Sequence, residues 1–447
     1  MLSINKQFYD HFDVENLKAI FNENIIFSGA VGVDNINTFT FVPQQDEQLQ
    51  IVSRKVLSGT YNFSNYKLSL VSKGRGKAPR ELSIPTVRDR VALRALCDFL
   101  QIRFSGSVSQ DLPQTVISRI KNDIYSGRYS GIIKLDVTNF YPSINHEILE
   151  KKLNKRLSGH QNIKEIIFSA IKSPTVDHSK KKDNLNECGV PQGLSISNIL
   201  ASIYLQDIDK YLETIPNTKC YRYVDDILII CDYSESNSIA CNVIKKFEEN
   251  DLIVHDPNAG TNKSVISRIN NDFDYLGYLF KDNLITVRSG SVEKLKASIV
   301  GHFTGYKYSV NKDVNFLRWC IDLRITGCIK DNKHKGWLFF FSEIDDDKLL
   351  HTLDHFIKKL CKRFSVEINT KKFVRAFQEI QHKKYTSKYI PNFDKYDTNQ
   401  QGEVLESYFG FDTTKMNDEQ INFHFNKKIN RQIRDLESDI KDHSASG

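Results

Sequence analysis

The sequence predicts an α+β protein in which hairpins and helices pack on one antiparallel sheet. Three observations carry this expectation. Between residues 66 and 287, short apolar stretches alternate with Gly-rich or polar turns, and segments with helical apolar spacing lie between them. From about residue 290 the strand signals thin out and lysine-rich amphipathic helix takes over, which places a domain boundary near 288.

Residues 1–60 hold a helix, "HFDVENLKAIFNENI", and a polar segment at 44–49 that reads as loop. "YKLSLVSKGRGKAPRELSIPTVRDRVALRALCDFL" (66–100) is a strand, a Gly- and Lys/Arg-rich turn, a second strand ending at Pro85 and a helix from Val87. Residues 112–128 are helical, and "GIIKLDVTNFYPSI" opens with a strand running into Asp136. A helix at 146–157 and a polar connector at 173–187 lead to "CGVPQGLSISNILASIYLQDIDKYL", a glycine-flanked loop followed by a long amphipathic helix. "YRYVDDILII" (221–230) reads as strand, turn and strand, and 236–250 as helix. "DYLGYLF" (274–280) pairs with "NLITV" (283–287) as a final hairpin, while "GWLFFFSEI" (336–344) fits either a strand or a buried helix.

A chain of 447 residues exceeds one ordinary domain, and 40% hydrophobic with 26% charged residues is a folded, not a disordered, composition. The net charge of +7 suits a polyanionic partner without requiring one. Lysine and arginine cluster at 151–156, 180–182, 358–363, 371–372, 383–384 and 427–434, runs that also fit solvated helix faces. The 8 cysteines are scattered without a C-x-x-C pair, which signals neither a zinc ribbon nor a disulfide framework and fits a reducing compartment. "MLSINKQFYDHF" lacks the basic and apolar regions of a signal peptide, and no run of about 18 apolar residues occurs. A cytoplasmic protein with no membrane partner is expected.

Asp225 and Asp226 interrupt an apolar strand, although burying an unpaired carboxylate is costly. A hairpin turn is one explanation and a divalent cation the other. A second apolar strand ends in Asp136. If the two strands are neighbours, three carboxylates converge and repel one another unless cations sit among them. Two Mg²⁺ ions, held about 3.5–4 Å apart, resolve that conflict in phosphoryl displacement.

With these residues in view, the chain resembles a reverse transcriptase over roughly residues 66–300. "IPTVRDRV" resembles the fingers motif of bacterial members, "KLDVTNFYPSI" the first catalytic motif, and "GVPQGLSISNILASIYL" the template- and nucleotide-facing motif. "YVDD" resembles the second catalytic motif, Lys263 in "GTNKSVI" a later palm motif, and "FDYLGYLF" the primer grip. The resemblance implies a right-hand polymerase. Residues 1–60 are an N-terminal extension, 61–135 the fingers, 136–288 the palm with some fingers elements inserted, and 289–447 a helical thumb and nucleic-acid-binding region.

It further implies that Asp136, Asp225 and Asp226, with the Val137 main chain, hold two Mg²⁺ ions, or Mn²⁺, and that Lys263 is a general acid, with a solvated loop charge as its plainer reading. Tyr141 is a gate against the ribose 2′-hydroxyl, with core packing as its plainer reading. Lys73, Arg75 and Arg80 meet the deoxynucleoside triphosphate, although the first two also read as exposed turn residues. Gln192 and Gly193 lie under the incoming base pair, followed by Ser197, and Tyr275, Leu276, Gly277 and Tyr278 seat the primer. Lys358, Lys362, Arg363, Lys371, Lys372, Lys383 and Lys384 contact nucleic acid; the alternative is an amphipathic helix whose aromatics are core.

One departure is Asn198, where many intron-encoded relatives carry proline. Together with "LRITGCIKDNKHKGWLFFFSEIDD" (323–346), it makes the chain similar to defence-associated bacterial enzymes, most of all the smaller reverse transcriptase of the class 3 two-polymerase antiviral systems. That likeness implies a noncoding RNA template, a DNA product and a second reverse transcriptase subunit. Retron and group II intron-type enzymes, and an idle maturase-like RNA-binding scaffold, are the alternatives.

Overall fold

The computed structural model describes residues 3–72, 78–107, 111–178, 184–260, 263–281 and 284–440. It is α+β and divides into two units, Met1–Asp111 with Asp123–Ile269, and Leu112–Asn122 with Asn270–Asp442.

The first unit contains strands β1 (Tyr66–Val71), β2 (Arg80–Ile84), β3 (Gly131–Asp136), β4 (Thr175–Val176), β5 (Lys219–Tyr223), β6 (Asp226–Cys231) and β7 (Val265–Arg268). β1 and β2 form the expected antiparallel hairpin, and β4, inside the segment read as a connector, pairs parallel with β1. The central sheet has the order β5-β6-β3-β7, all antiparallel. Ile227 to Cys231 are fully buried, and so are Ile133 and Leu135. Burial on both faces explains why these strands are continuous apolar runs instead of alternating ones.

Residues 44–49 are not a loop. Helix Gln45–Leu57 starts there, with Asp46 and Glu47 in a first turn that favours negative charge and Leu49, Val52 and Val56 buried. The polar "QQDEQ" is its first turn and solvent face. The N-terminal helices pack on helix Val87–Arg103, whose Arg90 donates to Ser28 Oγ (2.6 Å) and the Ala30 carbonyl (2.8 Å). Buried Asp89 accepts from Tyr61 Oη (2.6 Å), the Ser64 amide (3.1 Å) and Thr86 Oγ1 (2.9 Å).

The second unit opens with a separate sheet of β8 (Phe273–Tyr275), β9 (Tyr278–Lys281) and β10 (Leu284–Val287). "FDYLGYLF" is thus a hairpin in itself, not one strand. Positive φ at Leu276 (49°) and Gly277 (84°) gives the type I′ turn whose twist suits a two-residue hairpin. The chain divides after Ile269 because this sheet is tied downstream: the Ile285 amide donates to Asp345 Oδ1 (2.6 Å) and Tyr278 Oη to the Phe340 carbonyl. Among the described residues seven α-helices follow, from Ser289–Tyr308 to Asp418–Ile440, with a small hairpin of β11 (Cys328–Lys330) and β12 (Lys333–Lys335). "GWLFFF" is a buried helical turn, Trp337–Phe340.

Candidate active site

The geometry begins with the register of the central sheet. Pairing Gly131 with Cys231 carries β3 and β6 along one another until Asp136 stands opposite Asp226. β5 and β6 close through Tyr223 opposite Asp226, so the turn has two residues, Val224 and Asp225. Val224 adopts φ 58°, a first turn position where glycine is the usual occupant and a β-branched residue is strained. The aspartate pair is therefore split, with Asp225 in the turn and Asp226 at the start of a strand.

Arg222 holds that turn. Its guanidinium is clamped by both carboxylate oxygens of Asp209, on helix Ser197–Thr214, and its Nη1 donates to the Val224 carbonyl (2.8 Å). Burial pushes the Asp225 carboxyl up to about 6, its own backbone hydrogen bond pulls it down, and the charge of Asp136 raises it against the pull of Arg80 and Arg222.

Asp136 is fixed by its main chain, the amide donating to Ser264 Oγ (3.1 Å) and the carbonyl accepting from the His255 amide (3.0 Å). Carbonyls alternate along a strand. With Val137 bridged to Val254 and the Asp136 carbonyl spent on His255, the Val137 carbonyl is turned toward the β6 side. Lys263 Nζ lies 3.2 Å from Asp136 Oδ2 and 3.0 Å from His255 Nε2, itself 3.5 Å from the same carboxylate oxygen.

Among the described residues no three His, Cys, Asp or Glu side chains form a ready-made metal cage. The donors nevertheless suit a hard cation: they are carboxylate and carbonyl oxygens. An ammonium group already rests on Asp136, and the Asp225 carboxyl stays raised despite the charges of Arg80 and Arg222.

The neighbouring residues expected to face the nucleotide are tied to the same framework. Tyr141 is buried, 6% exposed, and its phenol donates to Asn198 Oδ1 at 2.5 Å. Burial, followed by the charge of Asp225, pushes that phenol well above its ordinary range. Burial lowers Arg80, opposed by the charges of Asp225 and Tyr141, so the three groups share one electrostatic neighbourhood. The loop ahead of helix Ser197–Thr214 is laced down on both sides. Val190 N donates to the Tyr141 carbonyl (2.9 Å), Gly189 N to Ile144 (2.8 Å) and Ser83 N to Gln192 (2.7 Å), while Ser197 Oγ donates to Pro191 (2.6 Å). Gly193, at φ 100°, comes so close to β2 that an added Cβ would lie 3.1 Å from the Ser83 carbonyl oxygen. Lys73 and Arg75 fall outside the described residues.

In the second unit, Tyr275 and Tyr278 are buried on either side of the turn, leaving Leu276 and Gly277 as the partly exposed tip. Lys358, Lys362 and Arg363 are exposed on helix Asp347–Phe364, and Lys372 and Lys383 are exposed as well. Lys371 is engaged internally, its Nζ donating to the Tyr389 carbonyl (2.6 Å), and Lys384 is half-buried. Of the interleaved aromatics, Phe373 is core and Tyr385 is 71% exposed.

Sequence reasoning missed Arg222, Asp209 and His255, whose importance lies in partners 2, 13 and 8 residues away that no motif spacing announces. Asn198 was visible only as a departure from a family pattern.

The antiparallel central sheet thus presents carboxylates from two neighbouring strands, with Arg80 of the β1–β2 hairpin in their electrostatic neighbourhood. Residues 71–280 match the family described as reverse transcriptase (RNA-dependent DNA polymerase). It is 26% identical over 192 residues to Protein YkfC of Escherichia coli, covering 40% of this chain and 49% of that protein. It is 23% identical over 175 residues to the group II intron-encoded protein LtrA of Lactococcus lactis, covering 37% and 28%. The chain thus spans about half or less of these relatives. Among solved structures it is similar to the telomerase of Candida albicans bound to a fragment of telomeric RNA, with TM-score 0.43, 15% identity, 90% of this chain and 68% of that one.

Proposed function

We propose that the chain is an RNA-directed DNA polymerase that extends a primer by two-metal nucleotidyl transfer. The observation that carries this is the register setting Asp136 opposite Asp226, with Asp225 in a clamped turn, inside the span matching the reverse transcriptase family. Asp136, Asp225 and the Val137 carbonyl, with Asp226 beside them, are the groups to hold Mg²⁺ or Mn²⁺. Bound there, the ions activate the primer 3′-hydroxyl and neutralise the pyrophosphate that leaves. Lys263, kept at Asp136, is the group to protonate that pyrophosphate.

Arg80, with Lys73 and Arg75 on the same hairpin, receives the triphosphate, and Gln192 and Gly193 support the base pair. Tyr141 rejects ribonucleotides. Leu276 and Gly277, between Tyr275 and Tyr278, seat the primer, and the exposed basic residues Lys358, Lys362, Arg363, Lys372 and Lys383 meet phosphates; the internal hydrogen bond of Lys371 and the partial burial of Lys384 leave them a smaller part. Residues 61–135 act as fingers, the central sheet as palm and the helical region as thumb.

The "LSISNILASIYL" and "LRITGCIKDNKHKGW" segments favour a cytoplasmic enzyme of bacterial antiviral defence that copies a dedicated noncoding RNA beside a second reverse transcriptase. Asn198 in place of proline weighs against the group II intron-type reading. In the described residues no helix is long and apolar enough to cross a membrane.

Purified protein is expected to extend a DNA primer on RNA with deoxynucleotides and Mg²⁺, and Asp225→Ala to abolish extension while retaining RNA binding. Extension by the variant would remove the metal assignment. An inactive wild type that still binds RNA would leave the scaffold reading. Sequencing copurified nucleic acid tests the template: a heterogeneous RNA population would overturn the dedicated noncoding RNA.

A further inference from the structure

We infer that Asn198 is a specificity-determining residue that holds the Tyr141 phenol in place, so that the sugar gate is a hydrogen-bonded pair and not a lone ring. The inference deepens the polymerase reading and rests on it.

The main chain already restrains Tyr141. Its carbonyl accepts from Val190 N (2.9 Å), and the next turn is tied by Gly189 N to Ile144 (2.8 Å). What remains free is rotation of the ring, and the 2.5 Å bond from its hydroxyl to Asn198 Oδ1 removes that freedom. The acceptor stands on a firm base, since Asn198 is the second residue of helix Ser197–Thr214 and buried Ser197 before it is bonded to the Pro191 carbonyl at 2.6 Å. Both partners thus sit on restrained elements, the condition for positioning to a few tenths of an ångström.

The exposure pattern shows where the pair faces. Tyr141 is 6% exposed, whereas Asn198 lies at the surface of the helix start. The ring packs inward against Phe140 (centroids 5.3 Å apart), and its polar end points to an exposed amide in the neighbourhood of Asp225 and Arg80. A 2′-hydroxyl entering there meets a phenol that cannot turn away. Proline at 198 has no side-chain acceptor, and alanine has none either.

The test compares kcat/KM for a deoxynucleotide and its ribonucleotide on an RNA template with a DNA primer. The variants are Asn198→Ala, Asn198→Pro, Asn198→Asp, Tyr141→Phe and the double Tyr141→Phe/Asn198→Ala. Asn198→Ala, Asn198→Pro and Tyr141→Phe should each reduce discrimination about five- to tenfold, the worth of one neutral hydrogen bond. The double variant should lose no more than the single ones, because both remove the same bond. Asn198→Asp keeps an acceptor oxygen and should keep discrimination.

Additive losses in the double variant would overturn the pairing. So would unchanged discrimination in Asn198→Ala alongside slower deoxynucleotide use, which a merely structural role at the helix start predicts. If Tyr141→Val also leaves discrimination unchanged, the gate itself fails; if only the Asn198 variants do, this inference fails alone. Should the wild type incorporate nothing, the polymerase reading fails, and equilibrium binding of dATP against ATP decides the pair: an unchanged ratio in Asn198→Ala refutes it.

Discussion

Asp225 shows how a turn carboxylate is held at the expense of the folded state. Its carboxyl is raised from 3.8 to about 6, first by burial and then by Asp136. A raised carboxyl binds more protons in the folded than in the unfolded chain between about pH 4 and 6, so stability falls as pH rises through that window and does not return above it. Asp225→Asn keeps the shape and removes the charge. It should abolish extension and raise the melting temperature by roughly 2–4 °C for each kcal/mol recovered at about pH 7.5, with little gain at about pH 4.5. Millimolar Mg²⁺ should stabilise the wild type and not the variant. Thermal unfolding at both pH values checks this. A variant less stable than wild type at the higher pH would mean that the carboxylate is already compensated within the protein.

At the level of elements, the turn between β5 and β6 is strained and held. A non-glycine residue at positive φ costs about 1–2 kcal/mol, and Val224 sits at φ 58°. Arg222, clamped by Asp209, donates to the Val224 carbonyl and so opposes relaxation. Lysine has no fork for this double contact. Arg222→Lys should therefore lower kcat about tenfold or more with little change in nucleotide KM, and adding Val224→Gly should restore part of the rate because glycine accepts that backbone at no steric cost. Steady-state primer extension separates the two terms, and a loss confined to KM would dismiss the clamp. The strands themselves were legible, since apolar runs ending in aspartate are local signals. The clamp was not, because Asp209 is on a helix and nothing in "YRYVDD" distinguishes a bonded arginine from a solvated one. "QQDEQ" misled in the other direction, a polar helix face resembling a loop wherever the apolar residues begin only at Leu49. "FDYLGYLF" hid a hairpin because its turn residues are a leucine and one glycine.

For the whole molecule, the segment whose role was least readable is part of the first unit's core. Residues 1–60 lie outside the span that matches the reverse transcriptase family, which begins at 71. Yet Phe8, Phe12, Leu17, Phe21, Leu49 and Val52 are buried in the same hydrophobic cluster as Val91, Phe99 and Leu100. Phe8 meets Phe99 edge-to-face at 5.2 Å, and Gly32 passes so close to the start of helix Val87–Arg103 that a Cβ there would lie 2.7 Å from the Thr86 Cα. Each large apolar side chain fully buried contributes about 1.5–3 kcal/mol, a sum comparable with the whole stability of a domain. The N-terminal region is thus an integral part of a shared core. A protein beginning at residue 61 should be recovered aggregated, or should unfold without a cooperative transition. Arg90→Ala in the full chain, which frees residues 28–30, should lower the melting temperature and leave nucleotide discrimination intact, since Arg90 bonds Ser28 and Ala30 at 2.6 and 2.8 Å and touches no proposed substrate group. Soluble, cooperatively folded protein from residue 61, extending primers at the wild-type rate, would show instead that this core closes without its N-terminal part.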